Sequence, residues 1–217
     1  WEKKEEKKKL KLYYNHLSSC SNRVQIALNL KGLECEYQFV NLSEGEQLSP
    51  EFKKLNPIGY VPVLVDGDTI ISDSLAIITY LDDTYPQHPL LPRDIDKRAI
   101  NIQAANIVAT SIQPFQNLAI AKYTGDNVNR EVKVIWAKYH IKKGFVALEK
   151  LLHDHAGKYA TGDEVCLADL FLAPQVNAAI KRFNVDMMQY PLLSRLKEAY
   201  EKHPAFKDAL PDIPLQS

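Results

Sequence analysis

Ser18-Ser19-Cys20-Ser21 gathers three hydroxyls and a thiol between an alternating apolar stretch and a helical one. Serine is a favoured helix N-cap, and capping is the first reading of these residues. The same position also offers free backbone N–H groups and the positive end of a helix dipole, which together stabilise an anion such as a thiolate. Lowering a thiol pKa from about 8.5 to about 6.5 takes roughly 2.7 kcal/mol, most of which one charge-assisted hydrogen bond plus a helix terminus can supply. Val61-Pro62 is a second feature. Proline inside an apolar run removes a ladder donor, and a cis bond there would turn the Val61 backbone toward an extended peptide ligand. Asp73-Ser74 opens a helix, either as a plain cap or as a pair meeting a ligand carboxylate at Ser74 and an ammonium at Asp73.

The elements that must hold these residues follow from periodicity. Leu10–Tyr14 alternates as a strand, and Cys20–Lys31 places Val24, Ala27, Leu28 and Lys31 at helical spacing before Gly32 stops it. Glu36–Leu42 is a second strand candidate, and Ser49-Pro50-Glu51 opens a short helix. Asn56-Pro57-Ile58-Gly59 breaks the chain. Val61–Val65 and Thr69–Ser72 then flank Asp66-Gly67-Asp68, a hairpin signal, and a helix capped by Ser72, Asp73 or Ser74 runs to Tyr85. Pro86, Pro89 and Pro92 mark a linker. Beyond Asp96 the patterns are helical, with helices expected at Lys97–Tyr123, Asn129–His153, Leu167–Arg182, Leu192–Lys202 and Pro204–Leu210. The expected plan is α+β: residues 1–9 disordered or tag-like, a βαβ-α-ββα domain at 10–85, a linker at 86–95 and an all-helical domain at 96–217.

Composition narrows the partners. The 217 residues carry 27 basic and 27 acidic side chains, so no net charge draws the chain to nucleic acid or to an anionic membrane. Cys20, Cys35 and Cys166 are too few for a disulfide framework, lack metal-ligand spacing, and suit a reducing, cytoplasmic setting. No metal site is expected, and the near-continuous charge of Trp1–Lys9 contains no apolar signal-peptide core. Ala99–Ala121 is uncharged, yet Asn101, Gln103, Asn106, Gln113, Gln116 and Asn117 make it too polar to span a membrane. Its amides suit a helix lining a polar cleft or an interface.

The features acquire a joint meaning in their order: strand, Ser18-Ser19-Cys20-Ser21, helix, Asn56-Pro57-x-x-x-Val61-Pro62, then Asp73-Ser74-Leu75-Ala76-Ile77-Ile78-x-Tyr80-Leu81. That order resembles the glutathione transferase superfamily, and within it the zeta class of maleylacetoacetate isomerases, with wording closest to plant members. Leu90-Leu91-Pro92-Arg93-Asp94, Ile112 to Leu118, Lys143-Gly144-Phe145-x-Ala147-Leu148-Glu149 and Ala168-Asp169-Leu170 carry the likeness onward, so that it spans Leu10 to about Leu210. The resemblance implies a thioredoxin-like domain, a helical-bundle domain and glutathione as cofactor. It implies that Ser18, assisted by Ser19 and Cys20, holds the glutathione sulfur as thiolate. It places the peptide on Gln47 and Val61, with Pro62 cis, and the γ-glutamyl end on Asp73 and Ser74, with Gln113 and Asn117 joining from the second domain. Serine fits because its hydroxyl donates to a thiolate without competing for the charge. The implied chemistry is cis–trans isomerisation of dicarboxylic dienones and dehalogenation of small α-halo acids, in a homodimer.

Arg182 matches a family arginine for the substrate carboxylate, or else is a cation at a helix end. Two positions depart from the family pattern. Leu17, preceded by His16, stands where an arginine is common, and Gln25 replaces the second arginine of Arg-x-Arg. His16 is the candidate replacement cation near the substrate. Cys20 keeps open a thioltransferase or dehydroascorbate-reductase chemistry through its own sulfur, and a non-catalytic glutathione-binding protein is the third reading. His88, His140, His153, His155 and His203 show no triad or metal spacing.

Overall fold

The computed structural model describes residues 9–116 and 129–211. The stretch expected to be tag-like, 1–9, lies outside them except for Lys9. The described residues form two compact units, one ending at His88 and the other beginning at Pro89.

The first unit contains β1 (Leu10–Tyr14), α1 (Ser19–Lys31), β2 (Cys35–Phe39), a 3₁₀ turn (Glu46–Leu48), α2 (Pro50–Leu55), β3 (Val63–Asp66), β4 (Thr69–Ser72) and α3 (Ser74–Thr84). The sheet order is β2-β1-β3-β4, with β1 parallel to β2 and both other pairs antiparallel. β3 starts two residues later than the expected Val61, because Pro62 has no N–H to give the ladder. Tyr13 pairs with Val63, and Val63 pairs with Ser72. This register brings the loop after β1, the entry to β3 and the exit from β4 to one end of the sheet.

Leu10, Leu12, Val24, Ile26, Leu28, Ile77, Ile78 and Leu81 are buried. Val40, Phe52, Val61 and Val63 form a separate apolar cluster with Tyr13 and Leu55 packed against it. Each such aliphatic side chain contributes about 1.5–3 kcal/mol when fully buried. α1 ends at Gly32, whose φ of 62° is left-handed and costs glycine nothing sterically. The last residue of that helix, Lys31, is buried, and its Nζ donates to Asp82 Oδ1 at 2.8 Å and to the carbonyls of Tyr85 at 2.8 Å, Gln87 at 3.3 Å and His88 at 3.3 Å. Gln87 and His88, expected in the linker, are thus bound to the first unit. An ammonium out of water requires such a full set of acceptors.

The second unit contains α4 (Ile95–Asn106), α5 (Arg130–Leu152), α6 (Leu167–Phe183), α7 (Pro191–Lys202) and α8 (Pro204–Lys207). The expected single helix over Lys97–Tyr123 is not what forms. After α4 the backbone widens to a π-helix at Ile107–Ile112 and tightens to a 3₁₀ turn at Gln113–Gln116, and residues 117–123 lie outside the described set. Pro114 explains the change, since it lacks an N–H and its ring crowds the carbonyl of Thr110. Thr110 adds to it by donating its hydroxyl to the Asn106 carbonyl at 2.7 Å. The π segment packs closely on α5, where a Cβ at Gly144 would overlap the Ile112 side chain.

Two amides expected to face a cleft or an interface are internal braces. Asn101 Nδ2 donates to Thr161 Oγ1 at 2.9 Å and its Oδ1 accepts from Ala168 N–H at 3.0 Å. Gln116 and Gln175 exchange reciprocal bonds of 3.0 and 3.1 Å. Burying an amide demands such partners. Asp169 is the other buried hub: it accepts from Ala160 N–H at 2.9 Å, Cys166 N–H at 2.9 Å and Tyr200 Oη–H at 2.6 Å. Burial pushes its carboxyl up to about 6 against those three bonds, which favour the anion.

Candidate active site

The turn that carries Ser18 is built by asparagines. Asn15 is buried, donates from Nδ2 to the Val40 carbonyl at 2.9 Å, and accepts the Leu17 N–H at 2.9 Å. Its own N–H reaches Ser21 Oγ at 3.3 Å, while Asn22 Nδ2 holds the His16 carbonyl at 3.1 Å. Between these anchors Ser18 caps α1, its Oγ accepting from Ser21 N–H at 3.2 Å. Capping uses a lone pair and leaves the hydroxyl proton free, so the group that caps the helix can also donate to a bound anion. An oxygen that already accepts a bond is polarised and donates more strongly. The amides of Ser19 and Cys20 open the helix and have no intrahelical acceptor by position. Ser19 is buried and Cys20 half-buried.

At the same end of the sheet the Val61–Pro62 bond is cis, and Val61 lies outside the β1–β3 ladder, which starts at Val63. Asn56, buried, steadies the approach: its Nδ2 donates to the Tyr60 carbonyl at 2.8 Å and its Oδ1 accepts from Ile58 N–H at 3.3 Å. Gly59 (φ 74°) lies so close to the Gln47 carbonyl that a Cβ would stand 2.9 Å from that oxygen, so this contact needs glycine. Gln47 Oε1 is buried with no hydrogen-bond partner among the described residues. A buried amide oxygen in that condition fits a ligand N–H.

Asp73 caps α3 from a φ of 79°, accepting at Oδ1 from Leu75 N–H at 2.9 Å and Ala76 N–H at 3.1 Å. Asp73 is exposed, and Ser74 beside it is buried. Arg23, on α1 and 1% exposed, donates from Nη1 to Ser74 Oγ at 3.2 Å. Burial holds its guanidinium below the usual range, and Cys20 and Asp73 oppose that shift. In the sequence Arg23 reads only as the surviving arginine of an Arg-x-Arg pattern, and neither Asn15 nor Asn22 stands out. The local signal was an asparagine directly after a strand; nothing local pointed from Arg23 to Ser74.

His16 is exposed and stacks on Phe39 with ring centroids 5.6 Å apart. In the second unit Gln113 is half-buried in the 3₁₀ turn, and Asn117 lies outside the described residues. Arg182 occupies the last turn of α6, half-buried, with its guanidinium 5.6 Å from the Phe183 ring centroid. It has no hydrogen-bond or ion-pair partner among the described residues, and burial lowers its pKa. Burial pushes the Cys35 and Cys166 thiols up to about 11, so both stay protonated at neutral pH. The described residues contain no His, Cys, Asp or Glu group able to hold a metal ion, and no helix long and apolar enough to cross a membrane.

A thioredoxin-like unit followed by an all-helical one is the two-domain plan of the cofactor-binding transferases that work through a tripeptide thiol. Residues 12–89 match the glutathione S-transferase N-terminal domain family and residues 114–210 the C-terminal domain family. The chain is 65% identical over 206 residues to a zeta-class glutathione S-transferase of Euphorbia esula, covering 95% of this chain and 92% of the relative. It is 47% identical over 203 residues to the maleylacetoacetate isomerase of Rattus norvegicus, covering 92% and 91%. A crystal structure of maleylacetoacetate isomerase from Anaeromyxobacter dehalogenans with glutathione bound in its active site superposes with a TM-score of 0.85 at 36% identity, covering 95% of this chain and 98% of that one. The chain belongs to the glutathione transferase family, in the zeta class that includes the maleylacetoacetate isomerases.

Proposed function

We propose that the protein is a glutathione-dependent isomerase and transferase acting on small electrophilic acids: cis–trans isomerisation of maleylacetoacetate-like dicarboxylic substrates, and dehalogenation of small α-halo acids. The observation that carries this reading is the placement of Ser18. Its hydroxyl caps α1 at the end of the sheet where Val61 and Ser74 also lie. The residues fit the tripeptide: Gln47 Oε1 is a buried acceptor without a partner among the described residues, and Val61 stands free of the ladder.

Bound there, glutathione supplies a thiol nucleophile able to add to an activated double bond or to displace a halide. Ser18 Oγ–H donates to the sulfur and holds it ionised, with the Ser19 and Cys20 amides adding the field of the helix start. Gln47 and the Val61 backbone, beside Pro62, align the peptide, and Asp73 and Ser74 take the ammonium and carboxylate of its γ-glutamyl end. Arg182 binds the substrate carboxylate. Its half-buried guanidinium, with no hydrogen-bond or ion-pair partner among the described residues, is in the condition that a bidentate carboxylate corrects. His16 is assigned to the same substrate.

A homodimer in the cytoplasm completes the proposal. Val132, Ile135, Trp136 and Tyr139 are exposed at helical spacing along α5, an apolar stripe suited to a second copy. The three cysteines are free, consistent with a reducing compartment. Glutathione-dependent isomerisation of maleylacetone, assayed beside dechlorination of dichloroacetate, tests the chemistry. Turnover of neither substrate by protein that binds glutathione would overturn it.

A further inference from the structure

Ser74 Oγ has one proton and two lone pairs, and how it spends them decides what it offers a ligand. A guanidinium donates and never accepts. The 3.2 Å contact from Arg23 Nη1 therefore fixes Ser74 Oγ as acceptor on its protein side. The hydroxyl proton is left to point elsewhere, and a hydroxyl accepting from a cation is a stronger donor than a free one. Next to it, Asp73 is exposed and acceptor-only, its Oδ1 already committed to the two helix-start amides. The helix start of α3 thus presents one donor and one anion side by side, with a buried cation behind the donor.

We propose that Arg23 is a positioning residue that acts through Ser74 to make this end of the site select an α-amino acid carboxylate. The proposal rests on the reading above that Asp73 and Ser74 take the γ-glutamyl end of glutathione. Arg23 is 1% exposed, so its charge is poorly screened, and its Nη1 bond to the Ser74 hydroxyl is the route by which it would act on a ligand. Its place on α1, one turn beyond Ser19, also couples the helix that holds the sulfur to the helix that holds the carboxylate. Exchanging Arg23 should therefore alter which peptide is bound, beyond any change in how well the fold holds.

The test is calorimetric binding of three peptides: glutathione, 4-aminobutyryl-cysteinyl-glycine, which lacks only the α-carboxylate, and glutaryl-cysteinyl-glycine, which lacks only the α-amine. In Arg23→Met the preference for glutathione over the aminobutyryl peptide falls about tenfold or more, the loss expected for a weakened charge-assisted bond. The preference over the glutaryl peptide, which belongs to Asp73, stays within about twofold. Ser74→Ala reproduces the first loss, and Arg23→Met adds little to it. Should Arg23→Met not fold, Arg23→Lys and Arg23→Gln decide: lysine keeps the preference and glutamine loses it. Equal weakening of all three peptides, or a preference indifferent to charge at position 23, would overturn the proposal. Wild-type protein that binds none of the peptides would instead overturn the glutathione reading itself.

Discussion

On the function proposed above, replacing Ser18 with alanine removes two interactions from one oxygen, and the two have separate readouts. The cap bond to Ser21 N–H, 3.2 Å long, is lost, which costs about 1 kcal/mol of stability. The donor to a bound sulfur is lost as well; a hydrogen bond to a charged group is worth about 1.5–3 kcal/mol. At 1.36 kcal/mol per pKa unit, the bound glutathione thiol should rise by about 1–2 units, and neutral-pH turnover should fall about 10- to 100-fold. Ultraviolet titration of the thiolate in the saturated complex measures the first quantity, and urea denaturation of the free protein measures the cap. Ser18→Asn separates them, because asparagine restores the cap while offering a weaker donor. Cys20→Ala is the control and should leave turnover within a few-fold. An unchanged thiol pKa in Ser18→Ala, with stability alone reduced, would show that the hydroxyl only caps the helix. Loss of turnover in Cys20→Ala instead would transfer the chemistry to that sulfur.

Three further outcomes are expected. Asp169 titrates at about 6 in the fold against an ordinary value of 3.8, so its native form holds the extra proton between those values. The stability of the protein relative to Asp169→Asn should therefore be greatest below pH 4 and fall as pH rises through 6, by about 3 kcal/mol in all, seen by denaturation at a series of pH values; a difference growing with pH would contradict it. Cys166 gives the start of α6 a thiol where a hydroxyl would cap better, so Cys166→Thr should raise stability by about 0.5–1 kcal/mol in a thermal melt, and a loss would show that its packing matters more. Arg182→Met should raise KM for a dicarboxylic substrate about tenfold or more while glutathione affinity stays unchanged, and a KM unmoved by the change would return Arg182 to the role of a helix-end cation.

Local chemistry was legible. The Leu10–Tyr14 alternation, the Ser18 cap, the Gly32 stop, the Asp66-Gly67-Asp68 hairpin and the Asp73 cap each depend on neighbours within a few residues. The boundaries drifted where backbone donors were missing, at Pro62 and Pro114. What stayed hidden depends on distant partners. Arg23 meets Ser74 and Lys31 meets Asp82, each 51 residues away, and no helical or strand period encodes such contacts. Asp66 shows the mixture: it reads as a turn residue, yet it is buried and accepts the hydroxyls of Tyr80 at 2.9 Å and Tyr85 at 2.8 Å. The uncharged stretch before Gln116 misled for the same reason, because whether an amide faces a ligand or a buried neighbour is decided by tertiary packing.

The ammonium of Lys31 sets the shortest stretch of chain that could live as an independent thioredoxin-like fragment. Half of its acceptors, the carbonyls of Gln87 and His88, come after the last strand and helix have ended. A fragment trimmed to the final turn of secondary structure would leave a sequestered cation short of ligands, whereas one carried through residue 88 would keep it satisfied. The natural seam for separating the halves, or for grafting the first onto another protein, therefore falls after His88 and not at the first proline.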